Sequence, residues 1–380
     1  MSIRKKSPKI VISGYYGFNN CGDEAVLLAI IHCLRKLWPE VRITVLSGDP
    51  SGTRELYDVK AVNRWNPLKI AFEILTSRLL ISGGGSLLQD ITSIKSPRYY
   101  LGVIRIALFL GKNVMVYSQG IGPLTAEKNR IRTAKVLNRC HAITLRDERS
   151  AALLSDLGVR RDTPVTCDPV MALDREDIYD EASKEDLHKL GLFDNPNVDL
   201  NPLLFVSIRC WEDDRHIAPV AEFLDAQARE GWNVLLVPAH YPEDSDAVAM
   251  LSARMTARPI CIDKLLTARE FIALTALADR VFSMRLHGLI CAMAMGTPII
   301  GLSYDPKVDA FMEQAGLERY CLSFDDFDVK TANRLMEELD NIPFQLRQER
   351  EARRLEMQDL AWETADVALW LLDTGGGDGS

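Results

Sequence analysis

The stretch from Ser283 to Val308 constrains the fold and the chemistry of this chain more than any other part of its sequence. It predicts a loop with Arg285 and His287, then a helix of small residues, a buried strand, and a second loop with Lys307. Parallel strands end at the same edge of a sheet, so these three side chains should converge. Two cations and one titratable ring at such an edge suit an anionic ligand that needs a proton moved.

Short β-rich runs alternate with helical patterns along the chain, which is typical of βαβ units in parallel sheets. The strands predicted in the first half are Lys9–Ser13, Arg42–Leu46, Arg78–Ser82, Asn113–Tyr117 and His141–Leu145. Those predicted in the second half are Leu203–Ile208, Asn233–Val237, Pro259–Ile262, Arg280–Ser283 and Thr297–Leu302. We therefore expect an α/β protein with two Rossmann-like, doubly wound domains that face each other across a cleft.

The 380 residues are many for one hydrophobic core, and the sequence suggests where the domains divide. We expect an N-terminal domain over residues 1–175 on the acceptor side and a C-terminal domain over 203–343 on the donor side. Residues 176–202 are acidic and then rich in Asn, Pro and Asp, as in an interdomain crossing. A long helix over 344–372 should pack back on the N-terminal domain, and 373–380 should be a disordered tail.

Composition excludes several classes of protein. A formal charge of −8 argues against a general nucleic-acid binder, so any anion site must be a local positive pocket. The eight cysteines lack metal-ligand spacing, which predicts free, mostly buried thiols in a reducing cytoplasm and no metal site. The longest apolar run, Leu286 to Leu302, is broken by Gly and Pro, so we expect no membrane crossing.

Three glycine-rich segments follow predicted strands of the first half: Gly14–Asp23, Ser82–Asp90 and Gln119–Pro123. In the first, Asn19, Asn20 or Asp23 would bind sugar hydroxyls, or the segment is only a turn with Asp23 as a helix cap. In the second, Gly84 and Gly85 would leave backbone N–H groups for an anion or hydroxyl near a helix start, or form a plain tight connection. Their repetition at three strand ends favours a functional role.

Further cations stand at other predicted strand ends. Arg146 follows the fifth strand and points into the site, or pairs with Asp147 or Asp168. Arg209 and His240 end the first two strands of the second half. His287 stands two residues after Arg285, so both side chains face one side if this stretch is extended. If His287 begins the helix instead, it lies near the positive backbone end of that helix.

One stretch of the first half has a possible relation to membranes. Lys95 to Lys112 combines two tyrosines, apolar bulk and four cations, a composition that suits contact with an anionic lipid surface. A helix packed on the sheet explains the same pattern more simply. Both interpretations stay open at this point.

The motifs of several enzyme classes are missing from the sequence. It contains no Gly-x-Ser-x-Gly elbow and no Walker loop, and its cysteines lack a nucleophile signature. Hydrolysis through a serine or a thiol is therefore unsupported, as is P-loop phosphoryl transfer.

Together these segments resemble the polysaccharide pyruvyl transferase family, most closely its bacterial members that act on secondary cell-wall polymers. The resemblance rests, in order, on Gly14–Asp23, Ser82–Asp90, Gln119–Pro123, Arg146–Ser150 and Ser283–Val308. The last segment is the most specific, with Arg-Leu-His-Gly-Leu followed by Ser-Tyr-Asp-Pro-Lys-Val.

The resemblance implies a fold like the GT-B glycosyltransferases, with phosphoenolpyruvate as a co-substrate and no cofactor. The acceptor would be N-acetylmannosamine in an undecaprenyl-diphosphate-linked disaccharide, and the product a 4,6-linked pyruvate ketal that serves surface-layer anchoring. The enzyme would be cytoplasmic, with peripheral contact to the inner face of the cell membrane.

Within that resemblance, the arginine fork matches the phosphate and carboxylate of phosphoenolpyruvate. The candidates for donor binding are Arg146, Arg209, His240, Arg285 and Lys307. His287 is the leading candidate for the acid or base, and Arg285, Asp23 and His240 are the next candidates for a catalytic role. Alternatives are a GT-B glycosyltransferase with a nucleotide-sugar donor and a non-catalytic sugar- or anion-binding protein.

Overall fold

The computed structural model describes residues 7–91, 93–179, 185, 187 and 201–374. These residues form two compact units. Unit 1 comprises the described residues within 1–18, 26–172 and 358–380, and unit 2 those within 19–25 and 173–357.

Two stretches fall in a different unit from the one that the sequence predicts. Residues 19–25 group with unit 2, and the long C-terminal helix is divided, with 344–357 in unit 2 and its remainder in unit 1. The predicted crossing at 176–202 and the predicted tail at 373–380 lie mostly outside the described residues.

Unit 1 contains a parallel seven-stranded sheet of order β3-β2-β1-β4-β6-β5, with β7 also paired to β6. Its strands are β1 (Lys9–Ser13), β2 (Arg42–Ser47), β3 (Lys60–Asn63), β4 (Leu79–Ser82), β5 (Gly85–Leu88), β6 (Asn113–Ile121) and β7 (Ala142–Leu145). The central strand β4 is buried along its whole length, as expected where helices cover both faces of a parallel sheet.

Helices alternate with these strands. They are α1 (Cys21–Leu37), α2 (Pro50–Tyr57), α3 (Pro67–Leu75), α4 (Ser96–Phe109), α5 (Glu127–Leu137) and α6 (Glu148–Asp156), followed by a 3₁₀ turn (Pro169–Ala172) and α7 (Arg175–Ile178). Pro67 and Pro97 stand in the first turns of α3 and α4, where the missing N–H leaves no helical bond unmade.

Unit 2 contains a parallel six-stranded sheet of order β10-β9-β8-β11-β12-β13. Its strands are β8 (Leu203–Ser207), β9 (Asn233–Leu236), β10 (Ile260–Cys261), β11 (Arg280–Ser283), β12 (Ile299–Ser303) and β13 (Cys321–Ser323). Both units are thus parallel-sheet α/β domains, as the alternation in the sequence predicts.

The helices of unit 2 cover this sheet. They are α8 (Ile217–Arg229), α9 (Ser245–Arg254), α10 (Ala268–Leu277), α11 (Leu286–Ala294), α12 (Pro306–Gln314) and α13 (Val329–Asp340), with a 3₁₀ turn at Glu318–Tyr320. The last helix, α14 (Phe344–Thr374), begins in unit 2 and ends in unit 1. No helix among the described residues is both long and apolar enough to cross a membrane. All eight cysteines are free thiols, and five of them are buried.

A buried hydroxyl network holds the C-terminal part of α14 in unit 1. The Thr364 hydroxyl lies 3.0 Å from that of Ser118 on β6 and 2.9 Å from that of Thr166. The Asn113 amide donates a hydrogen bond of 2.7 Å to the Leu371 carbonyl. Residues 358–374 therefore pack on the first sheet, as predicted for the whole helix.

Asp90 connects the end of β5 to the start of α5. Its carboxylate accepts hydrogen bonds from the Thr125 N–H (2.7 Å), the Ala126 N–H (3.0 Å) and the Asn129 amide (3.0 Å). Burial alone raises the pKa of this carboxyl, but these bonds outweigh burial and lower its pKa to about 2. The folded state thus stabilises the charged form of Asp90 relative to its protonated form.

We predict a pH-dependent contribution of Asp90 to stability. Asp90→Asn should lower the free energy of unfolding at pH 7 by about 1–3 kcal/mol, because buried donors lose their charged acceptor. Since the folded pKa is depressed, the difference from wild type should persist above about pH 4 and shrink as the pH falls towards about 2. Urea unfolding of both proteins at several pH values measures this difference. A difference independent of pH would contradict the assignment.

Candidate active site

The carboxyl edge of the unit 2 sheet gathers five of the predicted residues. Arg209 follows β8, His240 follows β9, Arg285 and His287 follow β11, and Lys307 follows β12. Strands β8 and β11 are neighbours, yet the chain continues from them to opposite sides of the sheet, through β9 and β12. Such a switch point is where open α/β sheets bind ligands.

His287 is the second residue of α11, so it lies near the positive backbone end of this helix. Its imidazole ring packs against Gly22 in the first turn of α1, and a β-carbon at position 22 would overlap this ring. Only glycine leaves room for the ring there. The ring therefore has a fixed position between the first turns of two helices.

The segment before α1 is fixed by backbone pairing within unit 2. The Cys21 N–H donates to the Ala239 carbonyl (2.8 Å), and the Tyr241 N–H donates to the Asn19 carbonyl (3.1 Å). The Asn20 side chain accepts a hydrogen bond of 3.0 Å from the Gly22 N–H. Asn20, rather than Asp23, thus caps α1, which begins at Cys21, and one lone pair of its amide oxygen is used within the protein.

Arg285 forms a two-pronged ion pair with the buried carboxylate of Asp244. Its Nε donates to Oδ2 at 2.9 Å and its Nη2 donates to Oδ1. Asp244 also accepts hydrogen bonds from the N–H groups of Ala239 (3.2 Å) and His240 (2.9 Å). Two of the five N–H donors of Arg285 are thus occupied, and Nη1 is left for a ligand.

Arg209 lies beside a pair of aromatic rings whose centres are 4.8 Å apart. Its guanidinium carbon is 5.1 Å from the ring centre of Trp211 and 5.5 Å from that of Tyr304, and Nη1 is 3.4 Å from the Tyr304 hydroxyl. No carboxylate of the described residues pairs with it. Burial lowers the pKa of the nearby His216, which favours the neutral form of its ring. Arg209 keeps its charge available for an anion.

The other two basic side chains of this edge have carboxylate neighbours. His240 Nε2 lies 3.4 Å from Glu243, and Lys307 Nζ lies 3.2 Å from Asp305, which also caps α12. Both pairs are partly exposed, where such contacts contribute little.

Arg146 belongs to unit 1 and is buried there. It lies 3.5 Å from Asp147 and 3.5 Å from Asp168, and it donates to the Ser86 hydroxyl at 3.2 Å. This is the ion-pair alternative that the sequence left open. The structure therefore gives Arg146 a role in holding β7 beside the 3₁₀ turn, whereas the candidates of the sheet edge described above lie in unit 2.

The glycines of Ser82–Asp90 differ from the expected cradle at a helix start. Gly85 begins strand β5, which the sequence did not predict, and α4 begins only at Ser96. A β-carbon on Gly84 would lie 2.8 Å from the Val26 side chain and 3.1 Å from that of Pro169. The protein's own side chains thus fill the space next to Gly84. The predicted loop after the fourth strand is likewise the continuation of β6 to Ile121.

Sequence reasoning missed three residues that shape the unit 2 site: Gly22, Tyr304 and Asp244. Gly22 and Tyr304 stand inside segments that the motifs highlight, and Asp244 stands four residues after His240. Only Asp244 had a usable signal, because a carboxylate four residues after His240 at a helix start is suited to hold a nearby arginine.

With this geometry in place, the comparison with protein families is decisive. The family model described as polysaccharide pyruvyl transferase matches residues 20–306, well over half of the chain.

The chain belongs to the polysaccharide pyruvyl transferase family.

Solved structures of similar fold are more distant in sequence. The Anabaena protein Alr3699/HepE in complex with UDP-glucose is 15% identical, with 96% of this chain and 98% of that chain covered and a TM-score of 0.60. A UDP-GlcNAc 2-epimerase from Neisseria meningitidis bound to UDP-GlcNAc is 13% identical, with 96% and 100% covered and a TM-score of 0.59. A Rickettsia africae glycosyltransferase is 12% identical, with 99% and 100% covered and a TM-score of 0.62. A search of curated proteins finds no significant match.

These likenesses support the fold, since identities of this size carry no information on substrate. The pyruvyl transferase thus shares its two parallel-sheet domains with GT-B glycosyltransferases and UDP-GlcNAc 2-epimerases.

We predict that Gly22→Ala impairs pyruvyl transfer by this family member. The added methyl group must displace the His287 ring, and a shift of about 1 Å in a reacting group lowers the rate about 100-fold. The free energy of unfolding should fall by no more than about 1–3 kcal/mol, because displacing the packed ring is unfavourable while alanine is the better helix former. Steady-state kinetics and a thermal melt measure the two effects.

Gly102→Ala is the matched control, because a β-carbon on this helical glycine of α4 meets open space. It should keep the wild-type rate. Unchanged turnover in Gly22→Ala would show that the packed position of the His287 ring does not matter for the reaction.

Proposed function

We propose that this enzyme transfers pyruvate from phosphoenolpyruvate to N-acetylmannosamine in a lipid-linked cell-wall precursor. The product is a 4,6-ketal and inorganic phosphate. The observation that carries this proposal is the position of His287 beside Arg285 at the switch point of unit 2, in a chain of the pyruvyl transferase family.

The donor carries two anionic groups, a phosphate and a carboxylate, that need separate partners. Arg209 presents a planar guanidinium beside two aromatic rings, and Arg285 presents Nη1 next to the ion pair that fixes it. The first N–H groups of α11 lie beside Arg285 and favour a phosphate oxygen. Lys307 and His240 are secondary donor contacts, because carboxylates compete for them.

The chemistry begins with protonation of the methylene carbon of phosphoenolpyruvate, which makes its C2 electrophilic. A sugar hydroxyl adds to C2, phosphate leaves with the electrons of the C–O bond, and the second hydroxyl closes the ketal. Of the two hydroxyl protons, one replaces the proton used at the methylene carbon and the other leaves on phosphate. The reaction therefore needs a group that gives and takes protons and uses no redox cofactor.

His287 is suited to that task. Imidazole titrates near neutral pH, and the contact with Gly22 limits the movement of this ring. Asp23 lies in the first turn of α1, one residue beyond Gly22, and is our second candidate for a proton acceptor from the sugar. Asn19 has a left-handed backbone and an exposed side chain, which suits contact with an acceptor hydroxyl.

The acceptor and the location follow from the same proposal. We place the enzyme with the bacterial family members that modify secondary cell-wall polymers for surface-layer anchoring. The acceptor is then a disaccharide on undecaprenyl diphosphate, and the reaction takes place at the cytoplasmic face of the membrane.

The direct test combines the enzyme with phosphoenolpyruvate and a synthetic disaccharide diphosphate lipid that contains N-acetylmannosamine. Mass spectrometry should show an acceptor mass increase for one pyruvate, with phosphate released in equal amount. His287→Ala should lower this turnover about 10²–10⁴-fold and leave the melting temperature unchanged. Near-normal turnover in His287→Ala would exclude this residue from proton transfer.

The fold also suits a nucleotide-sugar glycosyltransferase, since proteins of similar fold have been solved with UDP-sugars. Titration calorimetry separates the two functions: phosphoenolpyruvate should bind and UDP should not. Arg209→Lys should weaken phosphoenolpyruvate binding about tenfold or more, because lysine cannot replace the stacked, planar fork. Tight binding of UDP alone would favour the glycosyltransferase. A non-catalytic binding protein would instead retain binding in His287→Ala and release no phosphate.

A further inference from the structure

Positive charge is concentrated in one part of this acidic chain. Residues 64–139 contain twelve Lys and Arg but only three acidic residues, Glu73, Asp90 and Glu127, in a protein whose formal charge is −8. Glu73 is buried, and its carboxylate forms ion pairs with Lys9 Nζ at 2.6 Å and Lys60 Nζ at 2.5 Å. Asp90 is also buried, and its carboxylate accepts the hydrogen bonds described above. Glu127 is therefore the one exposed acid of this stretch among the described residues.

The outward side of α3 is apolar rather than polar. Leu68, Phe72 and Leu75 recur at helical spacing, and they are 83%, 60% and 54% exposed. The opposite side of the same helix buries Ile70 and Ile74 against the sheet. The helix thus has apolar side chains on both sides, which a purely structural role does not require.

Helix α4 lies next to α3 and has an outward side of mixed character. Arg98, Gly102, Arg105 and Phe109 follow at intervals of four, three and four residues, and Phe109 is 86% exposed. The buried sides of both helices belong to one hydrophobic cluster, so the helices cover the same face of the sheet. We call the outward side chains of α3 and α4, together with Trp65, the α3–α4 face.

Trp65 stands at the rim of this face and is 65% exposed. Its ring packs on Tyr99 with 5.5 Å between the ring centres. Below them the buried Arg64 lies 4.2 Å from the Tyr99 ring and donates to the Gly14 carbonyl at 2.8 Å. The exposed tryptophan thus rests on a rigid base.

We propose that the α3–α4 face binds the surface of an anionic lipid bilayer. Exposed Leu and Phe enter the acyl region, Trp occupies the interface, and Lys69, Lys95, Arg98 and Arg105 attract acidic headgroups. This complementarity favours lipid over nucleic acid, for which large aliphatic side chains have no use. It also favours lipid over a second copy of this chain, because two such basic faces repel each other. The inference stands independently of the proposed pyruvyl transfer.

Co-sedimentation with vesicles tests the proposal. The protein should bind phosphatidylcholine vesicles that contain phosphatidylglycerol, bind poorly to pure phosphatidylcholine, and dissociate at high salt. The double variant Arg98→Gln/Arg105→Gln should bind about 30-fold more weakly, since each basic residue contributes about fivefold. Phe72→Ser/Phe109→Ser should bind these vesicles at least about tenfold more weakly, because two aromatic side chains no longer enter the lipid.

Matched controls come from unit 2. Phe344 is 74% exposed and Arg347 is also exposed, so Phe344→Ser/Arg347→Gln should bind as wild type does. Brominated lipid should quench tryptophan fluorescence in wild type and do so less in Trp65→Phe. All of these changes are at the surface, so melting temperatures should stay constant.

Three results would overturn the proposal. The first is equal binding to neutral and anionic vesicles, or none to either. The second is an equal loss of vesicle binding in the control variant Phe344→Ser/Arg347→Gln. The third is binding to RNA, or self-association abolished by Phe72→Ser, without binding to vesicles. Vesicle binding by a protein that transfers no pyruvate would uphold the proposal and count only against the proposed chemistry.

Discussion

The buried ion pair between Asp244 and Arg285 is the interaction on which the unit 2 site depends. One carboxylate holds the guanidinium at the start of α11 and, through two backbone N–H groups, the loop after β9. That loop in turn pairs with the backbone of Asn19 to Cys21, whose helix supports His287. Desolvating two charges is unfavourable, and removing either partner alone leaves an uncompensated charge. The pair therefore lowers stability, but it fixes the positions of the loop after β9, the start of α11 and the His287 ring.

Much of the fold was accessible from the sequence, because buried parallel strands are continuous apolar runs. Strands β1 and β11 have the predicted bounds, and the positions of Arg285 and His287 follow from parallel topology. Strands β3 and β5 were missed because they are short and lack such a run. For the glycines, the sequence shows that a β-carbon is missing but does not show what fills the space, here Val26 and Pro169 beside Gly84. The choice between ligand and ion pair for Arg146 likewise needed three-dimensional neighbours.

Net charge proved a poor guide to the surface. A formal charge of −8 suggested that no basic face dominates. Helices α3, α4 and α5 nevertheless have many exposed cations and almost no exposed acids. An average over the whole chain conceals such a division, whereas the burial of Glu73 and Asp90 makes it visible. The aromatic surroundings of Arg64, which stiffen the rim of that face, were equally invisible to motif analysis.

The contact between Gly22 and His287 joins residues about 260 positions apart in the chain. During synthesis, the first turn of α1 emerges long before its partner helix exists. A nascent chain therefore cannot form this contact until about three quarters of its residues have been made, and products that end before α11 lack it.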